Sequence, residues 1–127
     1  MLRQAVTTLN EETRTGGETA RMLLKLPVEE WPVIVDAQPQ LMGIGAVEVL
    51  LDAAREEFDR NAGRALAITT FIVAYLDRID VPRELEVIRI RISGTAWKEY
   101  GNALYAVTAW EEAAHAARRA RNILEAR

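Results

Sequence analysis

Apolar residues return at intervals of three and four along most of this chain, which is the signature of one buried face on a helix. From Ile44 to Arg60 the apolar positions are Val47, Leu50, Leu51, Ala54 and Phe58, and from Arg64 to Ile79 they are Ala65, Ile68, Ile72 and Leu76. A shorter run, Glu18 to Leu26, carries Met22, Leu23 and Leu26, and Pro27 closes it. Val28 to Ala37 opens with Glu29 and Glu30, where the positive end of a helix dipole favours carboxylates, and Pro32 is tolerated there as a first-turn residue. Val33-Ile34-Val35 also reads as a strand, but no second convincing strand exists to pair with it, so a helix is expected. Leu85 to Ile92 is ambiguous in the same way. Alternation suggests an exposed strand, whereas the helical period links Leu85, Ile88, Ile92, Ala96, Tyr100 and Leu104 into one continuous face. The longer match predicts a helix from about Pro82 to Val107 with Gly94 as a tolerated weak point, followed by a last helix from Thr108 or Ala109 to about Ala126.

The breaks fall at Pro27, at Pro39 with Gly43 and Gly45, at Asp59 to Gly63, and at Asp80-Val81-Pro82. Gly16-Gly17 reads as a break too, so residues 1–17 are expected as a flexible or loosely docked N-terminal segment and 18–127 as the folded domain. Short connections make consecutive helices antiparallel neighbours. The expectation is therefore an all-α array of helical hairpins, six or seven helices in total.

Composition narrows the classes of function. The chain has 127 residues, half apolar and 28% charged, with a net charge of -3 and no cysteine. That balance provides no basic footprint for nucleic acid and no polybasic membrane patch. Without cysteine, disulfides and thiolate chemistry are excluded, which is compatible with the cytoplasm. Polar residues interrupt the first residues through Glu12, so no signal core forms there, and no window approaches the ~18 apolar residues of a membrane span. A cytoplasmic protein is expected.

Ala96-Trp97-Lys98-Glu99-Tyr100-Gly101-Asn102-Ala103-Leu104, with Ala113, Ala117 and Ala120 downstream, resembles a tetratricopeptide repeat, a bacterial type of which is expected. Trp97, Tyr100 and Gly101 match the first helix of that motif and the three alanines match the second; its closing proline is replaced by Glu125. Residues 46–80 resemble a degenerate repeat lacking the tryptophan, with Val49, Asp52 and Ala53 at the spaced positions. The resemblance implies hairpins over 18–45, 46–80 and 82–127, stacked as a short right-handed array. Residues 22–66 are also similar to helical leader regions of bacterial multi-repeat proteins, which implies that the chain is one part of a longer polypeptide.

Repeat proteins of that kind bind peptides or partner helices on the face formed by the first helices of each hairpin. Arg91, Thr95, Lys98, Asn102 and Tyr105 recur at helical spacing opposite the apolar side and form the candidate partner-binding stripe. Lys98 and Asn102 resemble the cation and amide with which some tetratricopeptide domains clamp a terminal carboxylate. The clamp is incomplete, because the upstream hairpin offers Leu50, Leu51 and Ala54. The simpler reading of the stripe is the solvated face of an amphipathic helix.

No catalytic constellation is present. His115, the only histidine, has alanines around it and no nucleophile or orienting partner. Glu56, Glu57 and Asp59 lack the Glu-x-x-His partners of helical di-metal sites. Gly43-Ile44-Gly45 lacks the strand and the lysine of a phosphate loop. Arg118, Arg119 and Arg121 read as cations near a helix end, and Trp31, Trp97 and Trp110 as packing residues, Trp31 being the one that a surface could also accommodate. The expected function is a non-catalytic protein-interaction module without cofactor or metal. The alternative is a homo-oligomerising or capping module of a larger protein, since Ile123 and Leu124 could form an exposed seam.

Overall fold

The computed structural model describes residues 2–107 and 110–126. Among them every regular element is helical: α1 Leu2–Leu24, α2 Trp31–Ala37, α3 Ile44–Glu57, α4 Ala62–Tyr75, α5 Glu86–Ala106 and α6 Trp110–Glu125. Short 3-10 turns stand at Val28–Glu30, Pro39–Leu41, Leu76–Arg78 and Arg83–Leu85. Both segments that could also be read as strands are helical: Glu86 to Ile92 belongs to the long period of α5, and in α2 Trp31 and Val35, four residues apart, are buried.

Helix α3 is the centre. Ile44, Ala46, Val47, Leu50, Leu51 and Ala54 are all buried, and they cover more than one side of the helix. Such a helix needs neighbours on several sides, and α1, α4 and α5 supply them. Ala65, Ile68 and Ile72 on α4, with Leu76 in the turn beyond it, are buried as their spacing predicts. Each fully buried Leu or Ile contributes about 1.5–3 kcal/mol relative to exposure.

The expected break at Gly16-Gly17 is corrected: α1 continues through both glycines. Gly16 is where α1 crosses α3. A Cβ there would stand 2.2 Å from the Ala46 nitrogen and 2.5 Å from the Gly45 carbonyl carbon, so only a glycine lets the two backbones meet. The packing of α1 on α3, with Ala20 and Leu23 buried in the common core, outweighs the ~1 kcal/mol that each mid-helix glycine costs against alanine. Met22, expected on the apolar face, is instead 42% exposed.

Trp31 is fully buried rather than resting on a surface. Its indole nitrogen donates to the Leu26 carbonyl at 3.1 Å, which satisfies the one polar atom that burial would orphan. Its ring meets Phe71 edge-on at 5.2 Å, and Phe71 stacks on Tyr75 at 4.5 Å. The Tyr75 hydroxyl donates to Asp36 at 2.9 Å, and the Arg78 guanidinium donates to the same carboxylate oxygen at 2.8 Å while lying 4.6 Å over the Tyr75 ring. These contacts fasten the short α2 to the end of α4.

The next hairpin, α5 with α6, attaches through α5, which lies against both α3 and α4. Ile92, Ala96, Glu99, Ala103 and Leu104 are buried along it. Helix α6 packs along α5, and at Gly94 a Cβ would stand 2.5 Å from the Leu124 side chain. Gly94 is thus a seat for Leu124 rather than a weak point.

Candidate functional site

The α5–α6 hairpin has two faces. One is pressed onto α3 and α4, and the geometry of α5 dictates the other: residues at 98, 101, 102 and 105 lie around the helix from Ile92, Ala96, Glu99 and Ala103. On that second face α5 and α6 border a cleft of about 570 Å³. Its floor is Gly101, Ala114, Ala117 and Ala120, with Leu124 towards one end. Lys98, Asn102 and Tyr105 stand on the α5 wall, Arg121 and Glu125 on the α6 wall. The floor is low because glycine and alanine carry almost no side chain, and the walls are charged because both helices turn polar at their solvent edges.

Three of the five stripe residues, Lys98, Asn102 and Tyr105, come together at this cleft. Arg91 and Thr95 do not. Both belong to the earlier turns of α5, and the Thr95 hydroxyl donates back to the Arg91 carbonyl at 3.0 Å, a bond within the helix. Tyr105 is 66% exposed, an unusual position for a large aromatic ring. Leu50, Leu51 and Ala54, the residues standing where a clamp would need polar partners, are core residues.

The residue that sequence reasoning passed over is Glu99. It is 5% exposed and sits on the apolar side of α5, where its carboxylate pairs with the Arg55 Nε of α3. Arg55 reaches Asp52 as well, at 2.9 Å. The second carboxylate oxygen of Glu99 accepts from the Asn102 Nδ2 at 2.9 Å. Burying a carboxylate is costly unless it is paired and hydrogen-bonded on both oxygens, and this arrangement meets both conditions. In return, the Glu99 carboxylate holds the Arg55 guanidinium above its ordinary pKa, with its hydrogen bond as the largest cause. The network runs Asp52–Arg55–Glu99–Asn102 from the far edge of α3 to the cleft wall. It fixes the Asn102 amide so that its carbonyl oxygen and second N–H remain available to a ligand. The signal was legible: a lone carboxylate in register with Ile92, Ala96 and Ala103.

The other candidates separate into ordinary surface chemistry. Glu57 pairs with Arg60 at 3.0 Å, and among the described residues no group of carboxylates and histidines could hold a metal ion. Arg118, Arg119 and Arg121 lie before the last turn of α6, not in it. Arg119 sits 4.7 Å over the Trp97 ring, a cation–π contact that joins α6 to α5. Trp97 in turn meets Tyr100 edge-on at 5.6 Å. His115 is on the exposed side of α6 with Arg118, Arg119 and Asn122. The side chains of Trp110 and Ala113, and the connection at Thr108-Ala109, lie outside the described residues. Among the described residues no helix is long and apolar enough to cross a membrane.

Compared with protein-family models, curated proteins and solved structures, the chain matches none of them.

Proposed function

We propose that this chain is a non-catalytic protein-interaction module that binds a partner polypeptide in the α5–α6 cleft. The observation that carries the reading is the cleft itself: an apolar floor with one cation on each wall, Lys98 and Arg121, with Asn102 and Tyr105 brought to it and Asn102 held by a buried network. Exposed aromatic rings beside apolar floors are the typical anchors of protein interfaces. The surface area adds support. The chain exposes 7812 Å², and a compact monomer of 14.2 kDa would expose about 6800 Å². The excess fits a stack of hairpins with an open end rather than a closed bundle.

The same arrangement supports the tetratricopeptide-like reading of the architecture. In it α3–α4 and α5–α6 are consecutive hairpins, and α5 seats against both helices of the hairpin before it. A second reading, a homo-oligomerising or capping module, is favoured by one observation: the cleft lies on the end face of the stack, where another hairpin or another copy would dock.

The test is capture by the wild-type chain against an Ala117→Trp variant, whose indole fills the floor. Ala117 is exposed, so the fold tolerates the change. A polypeptide retained by the wild type and lost by the variant supports the module. A catch that is identical for both rejects the cleft as the binding site. Ala117→Trp is a cleaner probe than Asn102→Ala, which would also remove one of the two bonds to Glu99.

A further inference from the structure

We infer that the occupant of the α5–α6 cleft is an α-helix of a partner polypeptide, one that carries a carboxylate at the edge of its apolar face; this rests on the reading of the cleft as a partner-binding site. The argument turns on what the floor can and cannot offer. The backbone groups of α5 and α6 are already bonded within their own helices, and Gly101, Ala114, Ala117 and Ala120 bring no polar side-chain atoms. From Ala114 to Glu125 the α6 wall runs about 17 Å, three helical turns.

An extended segment of that length would lay about five residues on the floor, each with an N–H and a C=O. Only the side chains of Lys98, Asn102, Tyr105, Arg121 and Glu125 could bond them, and all five stand on the walls. Every backbone group left dry and unbonded loses its bond to water and gains none in return. A helix has no such debt, because its own backbone is satisfied internally. The low floor suits it equally well, since glycine and alanine let helix axes approach to about 8 Å.

Charge sets the rest. Lys98 on one wall and Arg121 on the other line the cleft with two cations, with Glu125 towards one end. A carboxylate on the edge of the entering helix meets both cations, and a lysine at the same position is repelled by them. Lys98 forms no ion pair among the described residues, so its charge is not spent within the chain. The Asn102 amide, fixed by Glu99, offers a further bond to a polar side chain on the helix rim rather than to a strand backbone.

The experiment is a selection from two displayed libraries on the intact chain. The first presents randomised residues on one face of a rigid helical-hairpin scaffold with a fixed glutamate. The second is a linear library of equal complexity with a central proline, which no helix accommodates. Expected are binders from the helical library alone, abolished by Ala117→Trp and weakened at least about tenfold by Lys98→Glu. Cleft-dependent binders from the linear library alone would overturn the helical inference and leave the partner-binding reading standing. No cleft-dependent binder from either library would overturn both. A sedimentation mass of a dimer, lost in Ala117→Trp, would assign the cleft to a second copy and overturn the inference as well.

Discussion

Substituting alanine at Gly16 and at Gly17, one residue apart in the same helix, should change stability in opposite directions. Alanine is the better helix former by about 1 kcal/mol, and that gain is available at both positions. What differs is the space. At Gly16 the new Cβ would lie 2.2 Å from the Ala46 nitrogen and 2.6 Å from the Gly45 Cα, where ordinary contact begins at 3.4 Å. The shortfall is about 1.2 Å against backbone atoms, so α1 and α3 must move apart as rigid bodies and the packing of Ala20 and Leu23 loosens with them. Overpacking of this kind costs about 1–3 kcal/mol, and a backbone wall puts it at the upper end. Net of the propensity gain, Gly16→Ala destabilises by about 2 kcal/mol. At Gly17 the Cβ meets only the Arg21 guanidinium, at 3.4 Å, and that side chain can swing away. Gly17→Ala therefore stabilises by about 0.5–1 kcal/mol. Urea unfolding followed by circular dichroism at 25 °C measures both, and the melting temperatures should separate by roughly 10 °C. Equal stabilisation by the two substitutions, or no effect from either, would refute the docking of α1 on α3 through Gly16.

Three other outcomes follow from the same geometry. Arg55→Ala strands the buried Glu99 carboxylate with Asn102 alone and should cost about 2 kcal/mol, a full buried-pair loss of 3–5 kcal/mol discounted because the Arg55 side chain is 45% exposed; Glu99→Gln, which leaves Arg55 free to reach solvent and Asp52, should cost less, and urea midpoints decide the order. Asn61 caps α4 by accepting from the Arg64 amide at 3.0 Å, so Asn61→Ala should cost about 1 kcal/mol by the same assay. Burial, and then its hydrogen bond to Asp36, hold the Tyr75 hydroxyl above its ordinary pKa of 10.0. A group raised in the folded state favours folding below its unfolded pKa and loses that contribution as pH rises past it. Stability should therefore fall above about pH 10 and fall less steeply in Tyr75→Phe, and the absorbance change that Tyr75→Phe removes should be a late one.

Much of the fold was legible because its core positions repeat with the helical period over more than three turns. Val47, Leu50, Leu51 and Ala54, then Ala65, Ile68, Ile72 and Leu76, are buried as the spacing requires. Periodicity fails where a residue is chosen for its lack of volume. Gly16 and Gly94 look like helix breakers in one dimension, and each is a contact point with a helix far along the chain. Trp31 could not be placed because its partners, Phe71 and Tyr75, lie on another element. The candidate stripe shows a related limit. Its spacing located one face of α5, but only the packing of α6 shows that Lys98, Asn102 and Tyr105 border a cleft and that Arg91 and Thr95 do not. Glu99 was visible as a charge on an apolar face, and the apolar side assigned to α5 holds at Ile92, Ala96 and Leu104, all buried, with Tyr100 partly buried against Leu104.

The central claim is that the α5–α6 cleft holds another polypeptide. A photo-crosslinking residue placed at Ala117, on the cleft floor, and separately at Val33, 74% exposed on α2 away from the cleft, tests it in living cells. A discrete adduct of one added mass from position 117, absent from position 33, is the predicted result. No adduct from position 117, or the same adducts from both, would contradict the account.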